Sequence, residues 1–216
     1  MILARELAEY EDNPQTIVLA LPRGGVPVAY EVATHLHVPL DVYVVRKLGV
    51  PGHEELAMGA LAGDGSCVID RRLVNAVGIT SELLDSVIAR ESAELRRRQA
   101  AYRGERPEPR LGGETVVLVD DGLATGSSMY AAALAVRQHD PAAVVVAVPV
   151  GAAETCESLR AVADRVVCGF EPEFFGAVGL YYRDFTQTSD DEVRRLLELE
   201  LASRDVRAAG FRGRAP

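Results

Sequence analysis

The chain is short of the residues that mark several familiar functions. It has three cysteines in 216 residues, Cys67, Cys156 and Cys168, far apart and without a CxxC pair. An odd, scattered set of thiols excludes a disulfide framework and fits a reducing setting with buried structural cysteines. His35 and His37 are separated by one residue, a poor spacing for one helix face, and His53 and His139 stand alone, so no zinc pattern is present. Aromatic residues make up 6% of the chain. No run of eighteen apolar residues occurs, which excludes a membrane helix. Residues 1–14, MILARELAEYEDNP, carry acids early and lack an apolar signal core. They read as an amphipathic helix rather than a targeting peptide, and the expected location is cytoplasmic. Basic residues are outnumbered, 23 Lys and Arg against 32 Asp and Glu, for a net charge of −9. A general nucleic-acid binder needs the opposite balance. There is no Gly-Lys-Ser/Thr of a P-loop and no Gly-x-Ser-x-Gly of a nucleophile elbow.

What is present is concentrated in VVLVDDGLATGSS, residues 116–128. Four apolar residues bounded by a turn read as a buried strand. Asp120 and Asp121 follow, then a loop of small residues, then a helical pattern over residues 129–138. At a helix start the backbone N–H groups of residues 124–128 lack partners and form a nest for an anion, backed by a dipole contribution of roughly 0.3–2 kcal/mol. Thr125, Ser127 and Ser128 add hydroxyls, while Gly122 and Gly126 let the backbone come close. The two carboxylates repel phosphate, but they accept hydrogen bonds from sugar hydroxyls or hold water on a divalent cation. A ribose 5-phosphate offers both kinds of group. The plain alternative is a strand-to-helix turn capped by Asp and Ser, which requires neither the acidic pair nor two loop glycines.

This stretch closely resembles the phosphoribosyl-pyrophosphate (PRPP) loop of the type I phosphoribosyltransferases, with thirteen contiguous positions matching. The resemblance implies that Asp120 and Asp121 hold the ribose 2- and 3-hydroxyls and, through water and PRPP, Mg2+. It also implies that Gly122, Ala124, Thr125, Gly126, Ser127 and Ser128 surround the 5-phosphate. The fold it implies is a doubly wound α/β domain with a mostly parallel five-stranded sheet, a flexible flap and a small C-terminal hood. The alternation of strands and helices agrees.

The rest of the chain is taken in that light. Residues 17–21 form a short apolar strand, followed by Pro22-Arg23-Gly24-Gly25 and a helix over residues 26–36. Alone, PRGG is an ordinary tight turn. Beside the resemblance it becomes the pyrophosphate loop, with Arg23 clamping the leaving group over Gly24 and Gly25. Residues 40–45 make the next strand, with Arg46 and Lys47 expected at its carboxyl end, where open parallel sheets bind ligands. Lys47, then Arg46, are the further candidate pyrophosphate contacts. Residues 48–55, LGVPGHEE, are expected to be a mobile loop, and residues 57–62 and 66–69 flank a hairpin signal at Gly63-Asp64-Gly65. The flap region spans about residues 48–113, including a long amphipathic helix over 81–102 capped by Ser81, whose basic end Arg96-Arg97-Arg98 reads as a solvated, dipole-favoured cluster. Strands are expected at 142–148 and 165–167 with a helix at 154–163 between them.

The aromatics then gather in EPEFFGAVGLYYRDF, residues 171–185. Aromatic faces stack on a flat base for roughly 1–3 kcal/mol each. FGAVG, residues 175–179, resembles the hood opening of the purine enzymes, which implies Phe175, Val178 and Tyr181 as base-binding candidates. Two departures keep the base unassigned: Ala124 stands where hypoxanthine-type loops carry a third carboxylate, and the acid after the hood glycine is displaced to Asp184. A helix over residues 189–201 closes a single domain of residues 1–202, and residues 203–216 are expected to be a flexible tail. The implied activity is Mg2+-dependent transfer of the phosphoribosyl group from PRPP to a nitrogenous base, with Arg23, Lys47, Asp120 and Asp121 carrying catalysis. A PRPP-binding regulator without turnover and a PRPP-dependent hydrolase or phosphotransferase are the rivals. Family members are often dimers, which leaves a homodimer among the expectations.

Overall fold

The computed structural model describes residues 2–104 and 106–212. The chain opens with α1 (Ile2–Glu6) and a 3-10 turn (Ala8–Tyr10), then enters β1 (Thr16–Ala20), α2 (Gly25–Leu36) and β2 (Leu40–Val42). Next come β3 (Val45–Val50), β4 (His53–Ala62) and β5 (Cys67–Ile69), then α3 (Arg71–Val77) and α4 (Ser81–Arg103). The second half alternates: β6 (Thr115–Val119), α5 (Ser127–Arg137), β7 (Ala143–Val148), α6 (Ala153–Leu159), β8 (Arg165–Cys168), and finally α7 (Asp190–Arg212).

Five strands form one sheet in the order β2-β1-β6-β7-β8, every pairing parallel. This is the expected doubly wound α/β core. The strands are buried on both faces, which is why they read as continuous apolar runs. Side chains nevertheless alternate between two cores. Val18, Ala20, Val117, Val119, Val145 and Ala147 face α2 and α7. Ile17, Leu19, Val116, Leu118, Val144 and Val146 face α5 and α6. The chain winds outward from β1 to β2 on one side and from β6 to β7 on the other, so the winding reverses between β1 and β6. Loops at the carboxyl ends of those two strands flank the crevice where open α/β sheets take ligands.

The region between β2 and β6 differs from the sequence reading. The expected strand over 40–45 ends at Val42, and Arg46 and Lys47 lie inside β3 rather than at the end of a core strand. Residues 48–55 are not a loop: β3 and β4 pair antiparallel from Val45↔Ala62 to Val50↔His53, turning at Pro51-Gly52. Alternation of apolar residues in this stretch was masked by Gly49, Pro51 and Gly52, which sit at the register shifts and the turn. The hairpin expected at 63–65 is present, with Gly59↔Ile69 and Leu61↔Cys67 in register. The three strands β3-β4-β5 make a second sheet. Within it Arg46 points to α4, where Glu91 accepts from its Nε at 2.8 Å and its guanidinium at 2.7 Å.

Further departures are local. Thr80, not Ser81, caps α4 by accepting from the Leu83 N–H, and Glu94 pairs with Arg97 and Arg98 of the basic cluster. α3, unread from the sequence, is capped by Asp70, which accepts from the N–H groups of Arg72 and Leu73. α7 continues past residue 201 to Arg212, through alanines and arginines that favour helix. Residues 213–216 of the expected tail lie outside the described residues. No helix among the described residues is long and apolar enough to cross a membrane.

The Arg46–Glu91 pair locks the second sheet to α4. Glu91 is 8% exposed, so Arg46→Ala strands a carboxylate left, among the described residues, with Arg90. A loss of about 1–3 kcal/mol is expected in urea unfolding, with much of it recovered when both residues are changed to Leu. A neutral single variant would remove the assigned role.

Candidate functional site: a paired-acid crevice at the switch point

β1 and β6 pair in register to their last residues, Ala20 beside Val119. The ladder extends one step, with the Leu21 N–H donating to Val119 O at 2.9 Å. The two following turns therefore leave the sheet side by side. PRGG packs directly against the acidic pair, and its glycines are what permit this. A Cβ on Gly24 would collide with the Asp121 carboxylate, and one on Gly25 would lie 2.7 Å from Val119 O and 2.8 Å from Asp120 Cα. Arg23, Gly24, Gly25, Asp120 and Asp121 are thus brought together as the sequence reading required.

The acidic pair separates two cavities. Asp120 lines the smaller, about 180 Å³, with Gly122, residues 123–129 and Val178. Its floor is the start of α5. Gly126, at φ 68°, is the residue before the helix and bends the chain so that successive amides turn inward. Among the described residues no acceptor is found for the N–H of Ala124, Thr125, Gly126 or Ser128. Thr125 and Ser127 hydroxyls lie 3.2 Å apart at the rim. Thr155 of α6 holds the loop from behind by donating to Ala124 O at 2.7 Å. Open amides on a helix N-terminus make this cavity an anion receptor.

Asp121 lines the larger cavity, about 580 Å³, between the start of α2 (Arg23, Gly24, Pro27, Val28) and the segment 182–188. The Arg23 guanidinium reaches to 3.7 Å from Asp190, which also accepts the Tyr102 hydroxyl at 2.9 Å. Tyr182 donates to the Asp121 backbone O at 2.6 Å and packs on Phe185 with ring centroids 5.1 Å apart. Tyr182, Asp184 and Phe185 were not among the candidate site residues, although they belong to the aromatic run and Asp184 is its displaced acid. The 3-10 turn at Val178–Tyr181 rotates neighbouring side chains apart, so Tyr181 and Tyr182 face different ways.

The other candidates are placed as follows. Val178 covers the smaller cavity, where a Cβ on Gly122 would meet its methyls at 2.7 Å. Phe175 stacks on Tyr181 at 5.9 Å and 21°, and Tyr181 meets Phe170 edge-on at 5.8 Å; neither Phe175 nor Tyr181 lines the two cavities. Arg46 is held by Glu91, and Lys47 lies on the opposite face of β3; neither lines the cavities.

Electrostatics mark the acidic pair as the costly part of the site. Burial, reinforced by the like charge of Asp121, pushes the Asp120 carboxyl up to about 8. Burial also raises Asp121 above the usual carboxylate range, and it raises the Tyr182 phenol. Asp120 Oδ1 accepts only from the Asp121 N–H, at 2.9 Å, among the described residues. A half-buried pair with spare acceptor capacity suits a hydroxyl pair or a hard divalent cation, either of which relieves the repulsion.

A five-stranded parallel sheet with this crevice at its switch point is the type I phosphoribosyltransferase fold. The model of the phosphoribosyl transferase domain family matches residues 2–185, and the chain belongs to that family. Two curated Mycobacterium tuberculosis proteins, from strains CDC 1551 and H37Rv, each named "Putative phosphoribosyl transferase", are 46% identical over 208 residues. The match covers 96% of this chain and 46% of theirs, so the chain spans about half the length of those relatives. The crystal structure of a Thermus thermophilus protein, TT1426, superposes with a TM-score of 0.82 at 43% identity, covering 90% of this chain and 94% of that one.

The raised carboxyl gives a signed pH dependence. Below about 3.8 Asp120 is neutral folded or unfolded and has no effect. As pH rises toward about 8, the unfolded chain ionises first and the folded state loses stability progressively, at about 1.4 kcal/mol per unit. Asp120→Asn is therefore expected to raise the melting temperature at pH 8, with the gain shrinking as pH falls toward 4. Thermal unfolding across that range checks it, and a gain independent of pH would contradict the assignment.

Proposed function

We propose that the protein transfers the 5-phosphoribosyl group of PRPP to a nitrogenous base and releases pyrophosphate. The single observation that carries this reading is the acidic pair standing between an amide-lined anion cavity and a second cavity bordered by Arg23. The parts of a sugar phosphate are then met in order. The 5-phosphate takes the amides of residues 124–128 and the hydroxyls of Thr125, Ser127 and Ser128. Asp120 and Asp121 accept from the ribose 2- and 3-hydroxyls. Pyrophosphate lies against Arg23 and the backbone of Gly24 and Gly25.

Bond cleavage at the anomeric carbon builds positive charge on the sugar and negative charge on the leaving pyrophosphate. The carboxylates favour the first, and Arg23 favours the second. Positioning supplies most of the remainder, since both ends of the sugar are gripped while its reacting carbon faces the larger cavity. Mg2+, held through oxygens of Asp120, Asp121 and PRPP, would neutralise the leaving group. The acceptor base belongs on the side of the aromatic segment: Phe175, Val178 and Tyr181 are the contacts the family resemblance implies, and Phe185 is the aromatic wall of the larger cavity that the reacting carbon faces. Arg46, tied to Glu91, has no part in the reaction.

Incubation with PRPP, Mg2+ and a panel of purine and pyrimidine bases, read by pyrophosphate release, tests the reading. Release that depends on one base supports transfer. PRPP binding without release favours the regulator, and release without any base favours hydrolysis. In calorimetry, the double variant Asp120→Asn, Asp121→Asn is expected to lose PRPP binding by at least a hundredfold with unchanged circular dichroism. Retained affinity would sink the ribose assignment. For the base, Phe175→Ala is expected to raise its KM more than that of PRPP. Equal losses would give Phe175 a structural role, and a selective loss in Phe185→Ala instead would put the base in the larger cavity.

A further inference from the structure

Outside the acidic crevice two clusters gather potential metal ligands; Glu11, Asp12 and His37 are all exposed, whereas the other, which no sequence spacing announced, is partly buried and holds two thiols. Cys156 comes from α6, Cys168 from the last position of β8, and Glu171 from the first residues of the aromatic segment. The two sulfurs and a Glu171 carboxylate oxygen lie within 4.8 Å of one another. We propose that Cys156, Cys168 and Glu171 form a binding site for a thiophilic divalent cation of the zinc class, distinct from the oxygen-only acidic pair.

Four observations support it. The thiols are not joined in a disulfide. Cys156 is 1% exposed and Cys168 is half-buried, while Glu171 is exposed, so the cluster is closed on the sulfur side and open on the carboxylate side. Three protein ligands and one open position describe a zinc site that keeps a water; tetrahedral Zn–S bonds of about 2.3 Å would set the sulfurs about 3.8 Å apart, inside the 4.8 Å within which the three ligand atoms lie. No hydrogen bond or ion pair among the described residues holds Glu171, which leaves its carboxylate free to take a cation, while the Cys168 thiol donates to Phe170 O at 3.2 Å, a bond it gives up on losing its proton. Finally, the backbone makes room for the sulfurs. A Cβ on Gly151 would lie 2.7 Å from Cys156 Sγ and 3.2 Å from Cys168 Sγ.

Binding would release the thiol protons to solvent and leave both sulfurs as thiolates. It would also stiffen the back of the anion cavity. Gly151 bridges Leu123 of the acidic loop, whose N–H donates to Val150 O at 2.9 Å and whose O accepts from the Ala152 N–H at 2.9 Å. The inference does not depend on PRPP being a substrate.

The test is a Co2+ titration of the reduced full-length chain under inert gas, followed by displacement with Zn2+. One equivalent should produce a sulfur-to-cobalt charge-transfer band that zinc abolishes. Cys168→Ser should remove the band, Cys67→Ser should leave it unchanged, and Glu171→Gln should weaken zinc at least tenfold. Because Cys156 is buried, Cys168 carries the test, with circular dichroism confirming its fold. Zinc should raise the melting temperature of the wild type and leave Cys168→Ser unmoved. A missing band, a band surviving in Cys168→Ser, or a band lost in Cys67→Ser overturns the proposal. So does cobalt uptake without sulfur character.

Discussion

The structure depends on the in-register pairing of β1 with β6. Because Ala20 and Val119 are partners, the two turns that follow start at the same height and must share one space. Only a chain without side chains at Gly24 and Gly25 can enter it, since a Cβ at either would strike the Asp121 carboxylate or the β6 backbone. The glycines are therefore a packing requirement before they are a functional one. Arg23 is placed by the same geometry: with the turn pressed against Asp120 and Asp121, its side chain leaves toward the larger cavity and Asp190. A one-residue slip would turn every strand side chain to the other core and separate the turns.

This arrangement works against stability at its centre. Two carboxylates on adjacent residues, withdrawn from water, repel each other, and the folded state holds a proton on Asp120 to about pH 8. Among the described residues the N–H groups of Ala124, Thr125, Gly126 and Ser128 have no acceptor. The withdrawn acids are unfavourable until hydroxyls or a cation relieve their repulsion, and the amides, open to water on the exposed loop, are ready to exchange it for an anion. The remainder of the domain offsets the cost with apolar strands covered on both faces, where each buried aliphatic side chain contributes roughly 1.5–3 kcal/mol. A local destabilisation at a crevice, surrounded by a conventional core, is the pattern expected where binding rather than packing has shaped the residues.

What the sequence disclosed follows the range of the physics involved. The parallel core was legible because strands buried on both faces are continuous apolar runs, and the acidic loop because its chemistry is contiguous. Arg46 and Lys47 misled because the residues before them, 40–45, are apolar almost throughout; nothing local marks the break after Val42 or the transfer to a second sheet. Residues 48–55 look like a loop by composition, yet Gly49 and Pro51-Gly52 are a bulge and a turn inside a hairpin. His139 read as a lone residue, but its Nε2 lies 2.9 Å from Asp64 and 2.8 Å from Ser66, partners seventy or more positions away. The cysteines misled in the same way. Cys67 is exposed rather than buried, and Cys156 and Cys168 meet only because α6 packs beside β8. Contacts that depend on crossover connections leave no periodicity to read.

The two cavities are built by different means, and this separates what they can select. The smaller one is braced on every side: α5 forms its floor, the Leu123–Gly151 bridge its back, and Thr155 ties its loop to α6. Its donors are backbone amides and the hydroxyls of Thr125, Ser127 and Ser128, which suit an anion's charge and shape. The larger one is closed by residues 182–188, outside any helix or strand, fastened by the Tyr182 hydroxyl on Asp121 O and by the Asp190 carboxylate near Arg23. Its outer wall is made of side chains from residues 182–188, which belong to neither the sheet nor the two turns. A rigid amide cavity suits the part of a substrate that every relative shares, and a side-chain-walled cavity suits the part that differs. Under the proposed reading, the acceptor is therefore chosen on the Tyr182 side of the acidic pair or in the adjoining aromatic stack, while the phosphate side stays indifferent to it.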